Sequence, residues 1–254
     1  MNINDILHLS TYAGKIMLEN GAEAYRVEET MNKISEAFGV EKPDSYATPT
    51  AIISSASHKG ETKSVVVRIL KRSVNLEKIH RVNDLARNIK NNNYTVEEFK
   101  EKLKEIDNEK RYSNKVTILF SAIGALSFTF LFGGGLKDAA AAFFIGLIVK
   151  FFDIEADKIG LNSFFSTIIC SAITAFLAIL SIKLNIAADI DKVIIGSIML
   201  LVPGLAITNA IRDTIAGDLI SGIARAVEAF LIAIGVAAGT GVVLSFWINT
   251  FGGL

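Results

Sequence analysis

Apolar and polar positions follow two different patterns along the chain. Up to about residue 114, apolar residues recur at helical or strand spacing among many charges, whereas beyond it they form long runs with few charges. Helical spacing with a polar face is typical of a soluble domain, and long apolar runs are typical of membrane helices. We therefore predict an α-helical integral membrane protein with an N-terminal cytoplasmic α/β domain at 1–114 and a transmembrane helical domain at 115–254.

The first part is predicted to be a small α/β unit of helices and a β-hairpin. The predicted helices lie at 3–19, 22–38 and 76–89, and the predicted strands lie at 46–54 and 62–70. The turn-like residues at 57–60 join the two strands as a hairpin. Thr95 and Glu98 have the spacing of a capping box, which predicts that a last helix begins there.

The second part is predicted to hold about five transmembrane helices, because a helix needs roughly 20 apolar residues to cross the hydrocarbon core. The predicted spans lie at 116–136, 137–152, 162–182, 192–210 and 226–248. The second span is short, so a re-entrant helix pair is the alternative there. Pro203 and Gly204 fall inside the fourth span, and a proline removes a backbone donor, so we predict a kink or break at that point.

Basic residues beside the first span predict the orientation of the chain. Lys110, Arg111 and Lys115 favour a cytoplasmic N-terminus under the positive-inside rule. The first residues lack the basic and then apolar pattern of a signal peptide. We therefore expect a multi-pass protein of the cell (plasma) membrane, surrounded by the lipid bilayer, with its N-terminus in the cytoplasm.

Composition argues against several classes of function. The chain has 26 basic and 26 acidic residues, so its net charge gives no electrostatic case for nucleic acid as a partner. Cys170 is the only cysteine, and His8, His58 and His80 are scattered, so no spacing suggests a metal site or a catalytic dyad. The sequence also has no Walker loop. It therefore predicts no cofactor, no metal, no catalytic residue and no enzymatic activity.

Five charged residues interrupt the apolar sequence near the last two predicted spans. They are Arg212, Asp213, Asp218, Arg225 and Glu228. Charge near membrane depth is expensive and is usually kept for function. An arginine offers a planar fork of donors to a carboxylate, and a neighbouring acid can hold an ammonium group or pass a proton. The pattern indicates a site for a zwitterionic or anionic small molecule, and an ordinary loop of solvated charges is the alternative.

A second polar cluster lies on the second predicted helix. Its members are Glu23, Tyr25, Arg26 and Glu28. Such a cluster is either part of a site or a solvated helix face. A membrane-anchored enzyme or sensor with its site in 1–114 is the rival function from another class. A scaffold subunit whose charges pair with a partner is a third.

Two long stretches carry a family resemblance. The first is Gly21-Ala-Glu-Ala-Tyr-Arg-Val-Glu-Glu-Thr-Met31, and the second is Val202-Pro-Gly-Leu-Ala-Ile-Thr-Asn-Ala-Ile-Arg-Asp213, continued by Gly217-Asp218, Ser221-Gly222-Ile-Ala-Arg225 and Glu228. Both resemble the threonine/serine exporter family of the ThrE type, in the order that the family shows. The resemblance implies secondary export of threonine and serine, driven by the proton gradient. Some similar members move small dicarboxylates such as succinate, so that substrate is the alternative.

The resemblance also implies site residues and partners. It marks a core for substrate and protons at Pro203, Gly204, Thr208, Asn209, Arg212, Asp213, Gly217, Asp218, Ser221, Gly222, Arg225 and Glu228. It marks Glu23, Tyr25, Arg26 and Glu28 as a cytoplasmic motif. In split members a separate, smaller membrane subunit completes the transporter, and this chain resembles the first subunit, with a cytoplasmic domain and five spans. We thus expect a second membrane subunit as partner, with a homo-oligomer as a further expectation.

Overall fold

The computed structural model describes residues 3–58, 61–109 and 112–252, and these form two compact units. The first unit joins the described residues up to 109 with Leu205–Val227, and the second joins those from 112 to Gly204 with those from Glu228 onward. The sequence predicts a single boundary between 114 and 115. The structure instead places a late segment of the chain, Leu205–Val227, with the N-terminal part.

The N-terminal part of the first unit is an α/β domain. Its helices are α1 (Ile3–Glu19), α2 (Ala24–Ala37), α3 (Leu76–Arg87), α4 (Ile89–Asn92) and α5 (Val96–Asp107), and its strands are β1 (Pro43–Thr48), β2 (Ala51–His58) and β3 (Glu61–Arg68). The strands form one antiparallel sheet in the order β1-β2-β3. Helices α1 and α2 pack on one face of this sheet, and α3 and α5 pack against α1.

Buried and exposed residues alternate along the strands of the sheet. Ile52 is fully buried whereas its neighbour Ile53 is 42% exposed, and Val65 is buried whereas Val66 is 69% exposed. One face therefore closes the core and the other faces outward. The predicted hairpin of β2 and β3 is confirmed by their pairing, although part of its predicted turn, 59–60, lies outside the described residues.

Two local predictions have contrasting outcomes. The predicted strand at 46–54 is wrong as one element, because a turn at Pro49 and Thr50 divides it into the end of β1 and the start of β2. The capping box is confirmed, since the Thr95 hydroxyl accepts the Glu98 backbone N–H at 3.2 Å and the Glu98 carboxylate accepts the Thr95 N–H at 2.9 Å. Proline has no N–H to donate to a neighbouring strand, so the strand ends near Pro49. The capping box satisfies the first N–H groups of a helix, so α5 begins after Thr95.

The second unit is helical. It contains α6 (Asn114–Leu131), α7 (Leu136–Lys158), α8 (Ser163–Lys183) and α9 (Ile190–Ile198). The predicted short span at 137–152 is longer in the structure, because α7 continues as one helix of 23 residues. Asp138 fixes the start of α7, since its carboxylate accepts the backbone N–H groups of Gly135, Ala188 and Asp189.

The predicted fourth span is not one helix. Helix α9 ends at Ile198 after nine residues, and α10 (Gly204–Ala216) begins just beyond Pro203. The break that Pro203 and Gly204 predict is therefore confirmed. Nine residues of helix rise only about 14 Å, roughly half the hydrocarbon core.

Three helices of the described chain are long and apolar enough to cross a membrane. They are α6, α8 and α11 (Leu219–Phe251). Helix α7 has the length but carries several charged residues, and α9 is short. The count of five spans remains a prediction, while a helical protein with membrane-crossing helices is what the structure and the composition support.

Candidate functional site

The charged segment forms a helical corner within the first unit. Helix α10 ends at Ala216, the chain turns at Gly217 and Asp218, and α11 begins at Leu219. Gly222 permits a close approach of the two helices, because a Cβ there would lie 2.1 Å from the Thr214 hydroxyl. We call the segment Leu205–Val227 the α10–α11 corner.

The α10–α11 corner binds the loop that leads from α1 to α2. The Asn209 side-chain amide donates to the Gly21 carbonyl at 2.8 Å. The Ala24 backbone N–H donates to the Asp213 carboxylate at 2.9 Å, and the Arg225 guanidinium donates to the Ala22 carbonyl at 2.7 Å. Polar side chains of α10 and α11 therefore form hydrogen bonds with the backbone between α1 and the start of α2.

A buried ion pair joins the two helices of the corner. Arg225 Nε lies 2.9 Å from Asp213 Oδ2, and the exposed fractions of the two side chains are 6% and 0%. A buried charge without a partner is strongly unfavourable, so each group needs the other. A loop of solvated charges therefore does not describe Asp213 and Arg225.

Glu23 connects the cytoplasmic motif to the corner. Its carboxylate lies 2.5 Å from Arg212 Nη1 and 3.6 Å from Arg26 Nη1. Only 6% of the Glu23 side chain is exposed, whereas Arg212 and Arg26 are exposed by 55% and 38%. Burial opposes ionisation of Glu23, but its own backbone N–H and Arg212 outweigh burial and lower the pKa of this carboxyl.

Glu28 makes the next connection, through a strand. Its carboxylate accepts the Ala47 backbone N–H at 2.7 Å, and the Ala47 carbonyl accepts the Ser221 hydroxyl at 3.2 Å. Burial, helped by the nearby charges of Asp218 and Asp213, raises the pKa of Glu28 to about 7 against the hydrogen bond from Ala47. Asp44 acts in the same direction.

The structure brings together many of the residues that the sequence singles out. Those meeting at the α10–α11 corner and its loop are Asn209, Arg212, Asp213, Ser221, Arg225, Glu23, Arg26 and Glu28. Asp218 is half-buried nearby and Gly222 lies at the helix crossing. Tyr25 and Thr208 are exposed. Pro203, Gly204 and Glu228 belong to the second unit.

Sequence reasoning misses the groups that receive these side chains. Gly21, Ala22, Ala24 and Ala47 contribute backbone atoms, which every residue type carries. The one usable signal is Gly21, whose φ of +97° marks a left-handed turn that favours glycine. Within the described residues, no group of three or more His, Cys, Asp or Glu side chains is placed to hold a metal ion.

Apolar helices of membrane-crossing length, together with buried charges at a helix corner, are typical of membrane transporters. The chain belongs to the ThrE family, described as "Putative threonine/serine exporter", whose profile matches residues 8–247. It is thus a membrane protein of an exporter family. The resemblance that the two sequence motifs carry is confirmed at this level.

Several curated relatives are similar to this chain over nearly its whole length. The chain is 22% identical to the "Probable succinate transporter subunit YjjP" of Klebsiella aerogenes, over 91% of this chain and 90% of the relative. It is 20% identical to the protein of the same name in Escherichia coli, over 95% and 94%. It is also 22% identical to the "Probable threonine/serine exporter" of Mycobacterium tuberculosis, over 94% of this chain but 46% of the relative. No solved structure matches the chain.

Proposed function

We propose that the protein is a subunit of a proton-coupled secondary exporter of small amino acids, with threonine and serine as substrates. The polar groups of the transport site come from the α10–α11 corner and from Glu228, the residue that follows it. An arginine, Arg212 or Arg225, holds the substrate carboxylate, and Asp213, Asp218 or Glu228 holds the amine or carries the coupling proton. Export of small dicarboxylates such as succinate is the second candidate.

The observation that carries this proposal is the convergence of charges on one helical corner in a chain of an exporter family. Two arginines and two acids lie in the α10–α11 corner, and one arginine–acid pair is buried. Burying charge is costly, and clusters of charged groups with perturbed titration are candidates for binding or coupling. The relatives are named as transporters and exporters, which favours transport over a membrane-anchored enzyme or sensor.

The dicarboxylate alternative is supported by the two relatives named as succinate transporter subunits, which match this chain over nearly their whole length. Their description as subunits, and the match to 46% of the longer exporter, support a second, smaller membrane subunit as partner. A homo-oligomer of this chain is a further proposal. We place the protein in the plasma membrane as a multi-pass subunit, with its N-terminus in the cytoplasm.

Efflux from loaded cells tests the function. Cells that express this chain, with and without the second subunit, are loaded with labelled threonine, serine or succinate. Faster loss of threonine and serine, abolished when a protonophore collapses the proton gradient, is the expected result. Loss of succinate alone would instead establish the second candidate, and efflux equal to that of empty cells for all three solutes would refute both.

A further inference from the structure

One carboxylate and two guanidinium groups form a cluster near the start of α2. Glu23 is one carboxylate, and the two guanidinium groups of Arg26 and Arg212 lie on its two oxygens, at 3.6 and 2.5 Å. The cluster therefore has one more positive charge than negative. Glu29, which also follows on α2, is paired with Lys33 at 2.5 Å.

The carboxylate of this cluster is buried, whereas its two guanidinium groups are partly exposed. The Glu23 side chain is 6% exposed, so its carboxylate lies beneath the arginines and is not displayed outward. The side chains of Arg26 and Arg212 are 38% and 55% exposed, so both guanidinium groups reach the surface. A guanidinium has five N–H donors, more than one contact with Glu23 can use. Donors therefore remain available on the exposed side of both arginines.

Arg225 serves as an internal comparison. Its side chain is 6% exposed, its Nε contacts Asp213, and its Nη2 donates to the Ala22 carbonyl. This arginine is enclosed by protein groups on α10 and in the loop before α2. Arg212, on α10, contacts Glu23 and still exposes part of its guanidinium group.

We infer that Arg26 and Arg212, which both contact the Glu23 carboxylate, form a binding site for the carboxylate of a small organic acid. The inference rests on the proposed function and specifies its site: Arg212 binds together with Arg26 of the cytoplasmic motif, while Arg225 positions the corner. Guanidinium groups bind carboxylates through paired, charge-assisted hydrogen bonds. A carboxylate between α2 and α10 would add a further link to those that Asp213 and Glu23 already make.

Binding to purified full-length protein in lipid nanodiscs tests the site, since all three side chains belong to this chain. Labelled succinate, threonine and serine are the probes, and the probe that binds distinguishes a dicarboxylate from an amino acid. Arg26→Gln and Arg212→Gln should each weaken binding roughly tenfold or more, as the loss of a charge-assisted hydrogen bond implies. Arg26→Lys, which keeps the charge but not the fork, should have an intermediate effect.

Arg81→Gln is the matched control. Arg81 is 40% exposed and lies 2.5 Å from a single carboxylate, that of Glu109, in the same unit. This variant should bind as wild type does. Thermal unfolding of each variant shows that it is folded, and Arg26→Lys carries the test if Arg212→Gln does not fold.

The results separate this inference from the proposed function. Failure of all three acids to bind the wild type, or equal binding by wild type, Arg26→Gln and Arg212→Gln, would overturn the carboxylate site. Efflux that persists unchanged in Arg26→Gln would overturn the site and leave the exporter standing. Binding that depends on Arg26, with no efflux of any probe, would support the site and refute the exporter.

Discussion

Arg225 and Asp213 form an ion pair 2.9 Å long that fixes α11 to α10 inside the first unit. Arg225 also binds the loop before α2 through the Ala22 carbonyl, and Asp213 binds the first residue of α2 through the Ala24 N–H. Thus the pair both closes the α10–α11 corner and attaches it to the N-terminal domain. Two sequence motifs that lie far apart in the chain are each other's binding partners.

Arg225→Gln should destabilise the protein strongly, because it leaves the Asp213 carboxylate buried without its countercharge. We expect the free energy of unfolding to fall by about 3 kcal/mol or more. Thermal unfolding measures the loss, and hydrogen exchange at the Ala24 amide reports the local effect. The double variant Arg225→Gln with Asp213→Asn should lose less than the sum of the two single variants. Unchanged unfolding and unchanged Ala24 protection in Arg225→Gln would show that the pair has no structural role.

Arg212→Gln should behave in the opposite way. The Arg212 side chain is 55% exposed, and Glu23 keeps its contact with Arg26, so the free energy of unfolding should change by about 1 kcal/mol or less. Export should nevertheless be lost. Parallel measurements of unfolding and efflux for this variant and for Arg225→Gln check the contrast, and equal destabilisation by the two would contradict it.

Glu28 should make stability depend on pH. Because burial raises its pKa to about 7 from 4.5, the folded state holds this proton more tightly than the unfolded state. The resulting stabilisation is present below about pH 4.5 and is lost as the pH rises through about 7. Glu28→Gln keeps an acceptor for the Ala47 N–H and removes the charge. At pH 8 it should be more stable than wild type by about 1 kcal/mol, a value reduced because water screens a half-exposed carboxylate.

Unfolding of wild type and Glu28→Gln between pH 4.5 and 8 gives the difference directly, so other titrating groups cancel. Glu29→Gln is the control, because Lys33 lowers the pKa of Glu29 through a hydrogen bond and no raised value is involved. A constant difference between wild type and Glu28→Gln across this range would contradict the assignment.

Gly239 should tolerate no side chain, because α11 touches α8 at this point. A Cβ at Gly239 would lie 2.1 Å from the Ser171 hydroxyl and 2.2 Å from the Ile168 carbonyl, so Gly239→Ala must separate the helices. We expect a loss of about 1 to 3 kcal/mol. Gly241, two residues further along, has nothing within 4 Å of such a Cβ, so Gly241→Ala should be neutral. Thermal unfolding of both variants in the same detergent makes the comparison, and equal midpoints would refute the contact.

Elements with a local cause could be predicted from the sequence. Thr95 and Glu98 start a helix through their own side chains, and Pro203 cannot lie in the interior of a helix, so it falls between α9 and α10. The single strand predicted at 46–54 is wrong because Pro49, which has no backbone N–H, lies in the turn that divides β1 from β2. Pro49 itself therefore indicates from the sequence that the strand is interrupted at that point.

The site could be predicted only in part. Helical spacing predicts that Asp218, Ser221 and Arg225 share a face, since i, i+3 and i, i+4 neighbours do. It does not predict that this face meets the Ala47 carbonyl or the Ala22 carbonyl, because a backbone oxygen has no residue-type signature. Nor does it predict that a segment between apolar runs folds with the N-terminal domain. That association depends on contacts separated by some 200 positions in the chain.

Helix α11 is longer than a bilayer's hydrocarbon core is thick. Its 33 residues rise about 50 Å, and a bilayer hydrocarbon core is about 30 Å thick. When α11 crosses a membrane, roughly 20 Å of helix, about four turns, must therefore stand outside the apolar layer. The end that carries Ser221 and Arg225 is the polar end, so it supplies this overhang.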